Sequence, residues 1–274
     1  PTYVTMEPFD KLRDYYYRRF VIQSPLKSKK ARCKVAGITA IDGMLVHVRD
    51  IRLWGWFYIE VLKGKFLGRI GEKIDLKKGY RPEQWKIAFP HFDIHLVFHR
   101  LRPPPTDHYI SAITFLTDDV DGFVAGLPAF QRSSFAEDGV LVFGRFYAFL
   151  DDSGERAYRK GSRGLLRSVD HITLGVRNVE NAARFFCGVL GGKLEKIDDV
   201  DPANPNSSMK LWTANFGAFG IAFVQGIDRR EVSHVSVFTN KRGNGAIQHP
   251  AFEVGGDLST FCSYAKANGM RFRG

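Results

Sequence analysis

Hydrophobic and polar positions recur along this chain in an order that repeats. VDHITLGV at 169–176 and IQHPAFEV at 247–254 both read as apolar, polar, His, four residues, Val. Alternation of this kind predicts half-buried strands. Each segment precedes a helix-like run, NVENAARFFCGVLGG after the first and DLSTFCSYAKANG after the second. The runs KLEKI and MRFRG that come next predict a further strand in each copy.

The same order fits twice more in the first half of the chain, more weakly. GMLVHV at 43–48 and AITFLT at 112–117 each precede a helix-like run, with Gly43 and Ala112 where the later copies have histidine. Strand-like runs follow each of these helices. The pattern therefore predicts an α+β fold of tandem βαβββ modules, the fourth incomplete. The predicted modules span 43–104, 108–160, 168–227 and 245–274.

These modules divide the chain into three parts. Residues 1–40 form a basic N-terminal arm, residues 41–164 a half with two modules, and residues 165–274 a half with one complete and one partial module. Between the last two modules, HVSVF alternates and predicts an extra strand. Five apolar residues of the first module lie at helical spacing and predict a buried stripe: Trp54, Phe57, Tyr58, Val61 and Leu62.

Pairing of modules brings the two repeated histidines into one site. One βαβββ unit forms a curved sheet with one uncovered face. Two units packed side by side enclose a cup-shaped cavity, which we call the cup. A first-strand residue of each unit points into that cup, and His171 and His249 hold this position in the later modules. Imidazole is a common ligand of transition metals, so the pair predicts a metal site. The three cysteines form no CxxC pair, which argues against zinc and for a reducing compartment.

The segments that contain these histidines resemble the vicinal-oxygen-chelate superfamily, and within it the 4-hydroxyphenylpyruvate dioxygenase group. GNGAIQHPAFEV is similar to a Gly-rich loop followed by Gln-His on a metal strand, and VDHITLGVRNVENAARFF to the other metal strand and its helix. The resemblance implies Fe(II) held by two histidines, His171 and His249, and one glutamate. It also implies that a 2-oxo acid and O₂ take the open positions, with Gln248 near the substrate.

The sequence departs from that group at the third ligand. The glutamate of the group comes from the last strand of the fourth module, and the sequence ends at Gly274 before such a strand. Gln225, on the final strand of the third module, is a weak substitute. Glu253 points to the same face as His249, yet lies four residues along the strand and is too far away. Lys210 in MKLWTANF is expected to face the cup, where its ammonium group would repel a cation.

The formal net charge is +11 and the isoelectric point is about 9.6, values typical of proteins that contact nucleic acid or anionic lipid. Residues 1–40 contain nine Lys or Arg and three Asp or Glu. Basic residues interleaved with aromatic ones can follow phosphates and stack on bases, although a solvated arm is the other interpretation. The candidate partner-binding residues are Arg18, Arg19, Lys27, Lys29, Lys30, Arg32 and Lys34. No apolar run is long enough for a transmembrane span.

Two hypotheses of function follow. The one we favour is a non-catalytic, dioxygenase-like scaffold protein without a cofactor, an accessory subunit of a large protein or ribonucleoprotein assembly. A ribosome and a respiratory or ATP-synthase complex both suit the charge, and we expect a mitochondrial location, with the cytoplasm as the alternative. The other hypothesis is an Fe(II)-dependent 2-oxo-acid oxygenase of the 4-hydroxyphenylpyruvate dioxygenase type.

Overall fold

The structure is a computed structural model that describes residues 37–75, 79–101, 103–129, 131–132, 135, 139–152, 156, 159 and 164–270. The first half contains β1 (Ile38–Val48), α1 (Ile51–Trp56, continued by a π-helical turn over Phe57–Val61), β2 (Lys65–Ile70), β3 (Lys73–Asp75), β4 (Gly79–Arg81), β5 (Glu83–Ala88), β6 (Asp93–Phe98), β7 (His108–Thr117), α2 (Val120–Gly126), β8 (Leu141–Phe143) and β9 (Phe146–Asp152). The second half contains β10 (Leu166–Gly175), α3 (Val179–Ala183, continued by a π-helical turn over Arg184–Val189), β11 (Lys193–Ile197), β12 (Ser207–Asn215), β13 (Gly220–Asp228), α4 (His234–Arg242), β14 (Ala246–Val254) and α5 (Leu258–Ala267).

Each half is built on one main sheet. The seven strands of the first sheet lie in the order β2-β5-β6-β1-β7-β9-β8, and the five strands of the second in the order β11-β12-β13-β10-β14. The first strands of paired modules are antiparallel neighbours in both sheets, with Leu45 opposite Ala112 and Thr173 opposite His249. The predicted α+β fold of tandem βαβββ modules is confirmed, and the matching registers place Ala112 at the position of His249.

Local sequence signals explain where the helices begin. The Asp50 carboxylate accepts hydrogen bonds from the backbone N–H groups of Arg52 and Leu53 at the start of α1, and Asn178 caps α3 in the same way through Asn181. Of the predicted apolar stripe on α1 and its π-helical turn, Tyr58, Val61 and Leu62 are buried, and Trp54 and Phe57 pack against the core. That prediction is therefore confirmed. No helix within the described ranges is long and apolar enough to cross a membrane.

Aromatic contacts join the two halves into one continuous core. The ring centroids of Phe92 and Phe252 are 5.4 Å apart, and those of Phe146 and Phe186 are 5.2 Å apart in an edge-on contact. Both geometries are favourable for aromatic pairs. The sheet that contains the candidate metal site is therefore fixed against the first half.

One boundary and one element differ from prediction. Strand β1 begins at Ile38, so it includes the last three residues of the predicted arm, and MRFRG lies outside the described residues apart from Met270. The prediction of a strand at HVSVF is wrong, because this run begins α4. Ser233 caps the helix at Val235 N–H, and Gly243 ends it with a φ of 97°. The alternating valines of HVSVF do not by themselves indicate the residues at which a helix begins and ends.

A buried ionic cluster, which we call the Arg159 cluster, lies in the first half beside Gly43, the position equivalent to His171. Arg159 donates to the carboxylates of Asp42 at 2.7 Å and Asp93 at 2.9 Å. Its further members are Lys86, which pairs with Asp93 at 3.1 Å, and Arg156, which pairs with Asp42 and Asp151. Two members, Arg156 and Arg159, lie between β9 and β10 in the chain, so the cluster joins residues that are more than 60 positions from Asp42 and Asp93.

Replacing Gly55 with alanine is expected to lower the free energy of unfolding by about 2 kcal/mol, although alanine normally favours a helix by about 1 kcal/mol. The reason is overlap, because a Cβ atom at Gly55 would lie 2.2 Å from Cζ3 of Trp85 on β5. Chemical denaturation measures the change. Gly126→Ala is the matched control, since Gly126 ends α2 and a Cβ atom added there would have no neighbouring atom within 4 Å; it should be neutral or slightly stabilising. Equal effects of the two substitutions would contradict the packing argument.

Stability is expected to fall in acid because of His47. This ring stacks on Tyr109 and His99 and contacts Ser111 Oγ at 2.9 Å. Burial, and secondarily the neighbouring His99, lower the pKa of His47 to about 3. The unfolded chain therefore binds a proton near pH 6.5 that the folded chain excludes. The contribution of His47 to the free energy of unfolding is therefore fully present above that pH and decreases as the pH falls toward the folded pKa.

Between about pH 7 and about pH 4.5 this histidine should contribute a loss of roughly 2–3 kcal/mol. His47→Phe keeps a flat ring but removes the titration, so its stability should fall less over the same interval. Urea unfolding at both pH values measures the difference. His91→Gln, at an exposed position, should retain the full acid loss; an equal acid loss in wild type and His47→Phe would show that His47 is not its source.

Candidate metal site

His171 and His249 lie side by side on the concave face of the second sheet. They come from adjacent antiparallel strands, β10 and β14, where His249 is opposite Thr173 and His171 is opposite Ala251. Their ring centroids are 6.1 Å apart, with the ring planes at 74°. The structure thus brings together the two residues that the repeat pairs. Side chains two positions apart share a face of a strand, which is why the offset between the two histidines still lets them meet.

Both imidazoles have hydrogen-bonding neighbours that orient them. Nδ1 of His171 is 2.7 Å from Oδ2 of Asp170, and Nε2 of His249 is 3.2 Å from Oγ1 of Thr173. A carboxylate on one ring nitrogen is a common way to direct the other nitrogen toward a metal. Partial burial, and then the neighbouring His171, lower the pKa of His249 below its ordinary value. Its ring is therefore in the neutral form that binds metals at neutral pH.

A cavity of about 580 Å³ opens above the two histidines. Alternation along the strands sets its walls, because Leu211 and Thr213 of β12 and Ala222 and Val224 of β13 face it. Gln248 also lines it, next to His249. A cavity with apolar walls and a few polar groups at one end is typical of a small-molecule site.

The same alternation turns two predicted cavity residues to the other face of the sheet. The prediction that Lys210 faces the cup is wrong, because its ammonium group lies 3.7 Å from Glu180 on α3. Gln225 also faces the helix, where its side-chain oxygen accepts a hydrogen bond of 3.0 Å from Val179 N–H. The structure therefore does not bring Gln225 together with the histidines. The register expected from the sequence is wrong by one residue.

A third protein ligand is not found within the described ranges. There, no group of three or more His, Cys, Asp or Glu side chains is arranged to hold a metal ion. Glu253, on the same strand as His249, instead accepts a hydrogen bond of 2.7 Å from Ser168 Oγ. This agrees with the expectation that it is too far along the strand. The predicted partner-binding residues, from Arg18 to Lys34, lie outside the described residues.

The donor set fits a divalent first-row metal as two of its ligands. Two imidazoles on one ion have ring centroids about 5 Å apart, given metal–nitrogen distances of about 2.1 Å. The observed 6.1 Å is slightly larger, so a small side-chain rotation would close the pair. His249 is exposed and has room for that rotation. Imidazole ligands suit Fe, Ni, Cu and Zn ions.

Sequence reasoning missed two residues of the site. Thr173, the partner of His249, is buried between the strands, and its two-residue distance from His171 is the signal that could have revealed it. His234 lines the same cavity from the start of α4. No sequence signal marked His234, because its position depends on how α4 packs on the sheet.

Comparisons with known proteins agree with this fold. Residues 168–274 match the model of the Glyoxalase/Bleomycin resistance protein/Dioxygenase superfamily, while no curated protein matches the chain. A mutant of 4-hydroxymandelate synthase from Streptomyces coelicolor has a similar fold, with a TM-score of 0.61 and 17% identity over 85% of this chain and 76% of that one.

Two further solved structures have similar folds at low identity. A Mn(II)-bound glyoxalase from Novosphingobium aromaticivorans has a TM-score of 0.52 and 16% identity, covering 85% of this chain and 72% of its own. An extradiol ring-cleaving dioxygenase from B. fuscum has a TM-score of 0.51 and 14% identity, covering 88% and 65%. Residues 168–274 therefore form a domain that matches the Glyoxalase/Bleomycin resistance protein/Dioxygenase (vicinal oxygen chelate) superfamily, and the chain shares the fold of these solved structures over both halves.

Proposed function

We propose that the protein is a metal-dependent enzyme of the dioxygenase type, with His171 and His249 as two ligands of a divalent ion such as Fe(II). The observation that carries the proposal is the pairing of these rings, 6.1 Å apart, at the end of an open cavity. A bound ion would supply sites for a chelating substrate and for O₂. The further ligands of the ion would come from substrate, solvent or residues outside the described ranges.

The described residues of the cavity favour a substrate with an aromatic ring and a chelating head, as in an aromatic 2-oxo acid. Phe219, Leu211 and Val224 offer an apolar wall that would pack on a ring and exclude water. The Gln248 amide lies beside His249 and can donate a hydrogen bond to a substrate oxygen. Asp170 keeps a hydrogen bond on Nδ1 of His171, which leaves Nε2 of that ring as the donor atom for a metal.

Metal analysis and O₂ consumption test the proposal. The full chain, loaded with Fe(II) under anaerobic conditions and then desalted, should retain one iron per chain. It should consume O₂ when an aromatic 2-oxo acid such as 4-hydroxyphenylpyruvate is added, with release of CO₂. Retention of iron without O₂ consumption would support the metal site but would reject the 2-oxo acid as substrate. Failure to retain any divalent ion would reject the metal-dependent enzyme.

A second candidate function is a non-catalytic subunit of a large assembly. It is supported by the lack of a third ligand within the described ranges and by the net charge of +11. Under this proposal the basic residues of the arm contact an RNA-containing or membrane-bound partner, and the protein would be mitochondrial. Deleting residues 1–36, which leaves β1 intact, should then release the protein from the assembly in sedimentation. Unchanged sedimentation would contradict the proposal that the arm binds the assembly.

A further inference from the structure

A second cavity, of about 610 Å³, lies between the two halves of the chain. The first half contributes residues of β7 and the β8–β9 turn, and the second half contributes residues of α4 and β14. Gln248 and His249 line both this cavity and the candidate metal cavity. Its volume is in the range of pockets that hold small molecules.

Aromatic rings form the walls of this inter-half cavity and are held in place by their neighbours. Tyr109 stacks on the buried His47 ring with centroids 4.8 Å apart. Phe238 of α4 packs on Gly175, where an added Cβ atom would lie 2.6 Å from Cδ1 of the ring. Tyr147 also lines this cavity. Fixed aromatic faces favour a flat ring as the ligand, because stacking then costs little side-chain entropy.

The charge of the lining favours an anion. Arg145 and Arg242 line the cavity, whereas Asp107 is the one carboxylate among its described lining residues. Arg242 is partly buried, and its side chain makes neither an ion pair nor a hydrogen bond with any residue in the described part of the chain. Its charge acts on Tyr109, since it opposes the burial that raises the pKa of that phenol to about 12. The guanidinium group therefore lies close to the aromatic wall.

We propose that the inter-half cavity binds a small aromatic carboxylate, with its ring against Tyr109 and Phe238 and its carboxylate on Arg242. A planar guanidinium matches a carboxylate through two parallel hydrogen bonds. The proposal does not require metal at the histidines. A ligand in this position would nevertheless contact Gln248 and His249, so it would lie directly beside the candidate metal site.

Calorimetric titration of the metal-free full chain with 4-hydroxybenzoate, in the presence of a chelator, tests the proposal. Wild-type protein should bind one equivalent, and Arg242→Gln should weaken the affinity by roughly tenfold to hundredfold, as expected for loss of a charge-assisted contact. Arg242→Lys should restore part of the affinity. The neutral analogue 4-hydroxybenzamide should bind wild-type protein much more weakly than the acid.

Two variants serve as controls. Lys241→Gln removes the adjacent charge on the same helix without touching the cavity lining, and Thr213→Ala alters the wall of the metal cavity alone; neither should change the affinity. Loss of binding in Thr213→Ala, equal binding by Arg242→Gln and wild type, or equal binding of acid and amide would each overturn the proposal. So would a wild-type protein that binds no 4-hydroxybenzoate at millimolar concentration. Thermal melting shows whether each variant is folded.

Discussion

Arg159→Ala is expected to lower the free energy of unfolding by about 3 kcal/mol, because it leaves two buried carboxylates with less compensating charge in a poorly solvated place. The Arg159 side chain is only 9% exposed, and those of its partners Asp42 and Asp93 are 7% and 3% exposed. Lys86 and Arg156 still face these carboxylates, which limits the loss. The loss should appear as a lower midpoint in urea unfolding, with an unchanged slope.

The controls separate burial from charge. Arg167 pairs with Glu253 at 4.0 Å with both side chains 57% exposed, so Arg167→Ala should have little measurable effect. Adding Asp42→Asn to Arg159→Ala should recover part of the stability, because it removes one of the two buried carboxylates that lost a counter-charge. A similar small effect of Arg159→Ala and Arg167→Ala would show that the Arg159 cluster does not stabilise the fold.

His171→Ala and His249→Ala are each expected to weaken the binding of Mn(II) or Co(II) by roughly 100-fold or more. Loss of an outer hydrogen-bond partner alone typically weakens metal binding by about 10- to 100-fold, and these substitutions remove a ligand itself. Asp170→Asn should have an intermediate effect, because Asp170 only orients His171. Titration calorimetry gives the affinities, and the visible spectrum of bound Co(II) reports the nitrogen ligands.

His234→Ala is the matched control, since His234 lines the same cavity but comes from α4 and not from the paired strands. It should bind metal as wild type does. Equal losses in His234→Ala and His171→Ala would indicate non-specific binding by surface imidazoles. Wild-type binding by both His171→Ala and His249→Ala would exclude the paired histidines as the site.

A feature of the fold or of the candidate site could be predicted from the sequence when it depends on neighbouring residues or on a repeating pattern. The stripe on α1 and the strand KLEKI follow from spacing within a few residues, and both are confirmed. The equivalence of His171 and His249 follows from the repeat and is confirmed by the matching registers of the two sheets. The strand predicted at HVSVF is a helix instead, because helix caps and helix packing outweigh a short alternating pattern.

The amino-acid order by itself determined the modular α+β fold and the two histidines, because strand and helix periods and a repeat of this length are written directly along the chain. Only the tertiary structure decided which way Lys210 and Gln225 face, since a one-residue change of register turns every side chain to the opposite side of a sheet. It also decided that Arg159 pairs with Asp42 and Asp93 and that Arg242 lies near Tyr109 between the halves. Those contacts join residues far apart in the chain, and their free energy depends on burial that no local pattern records.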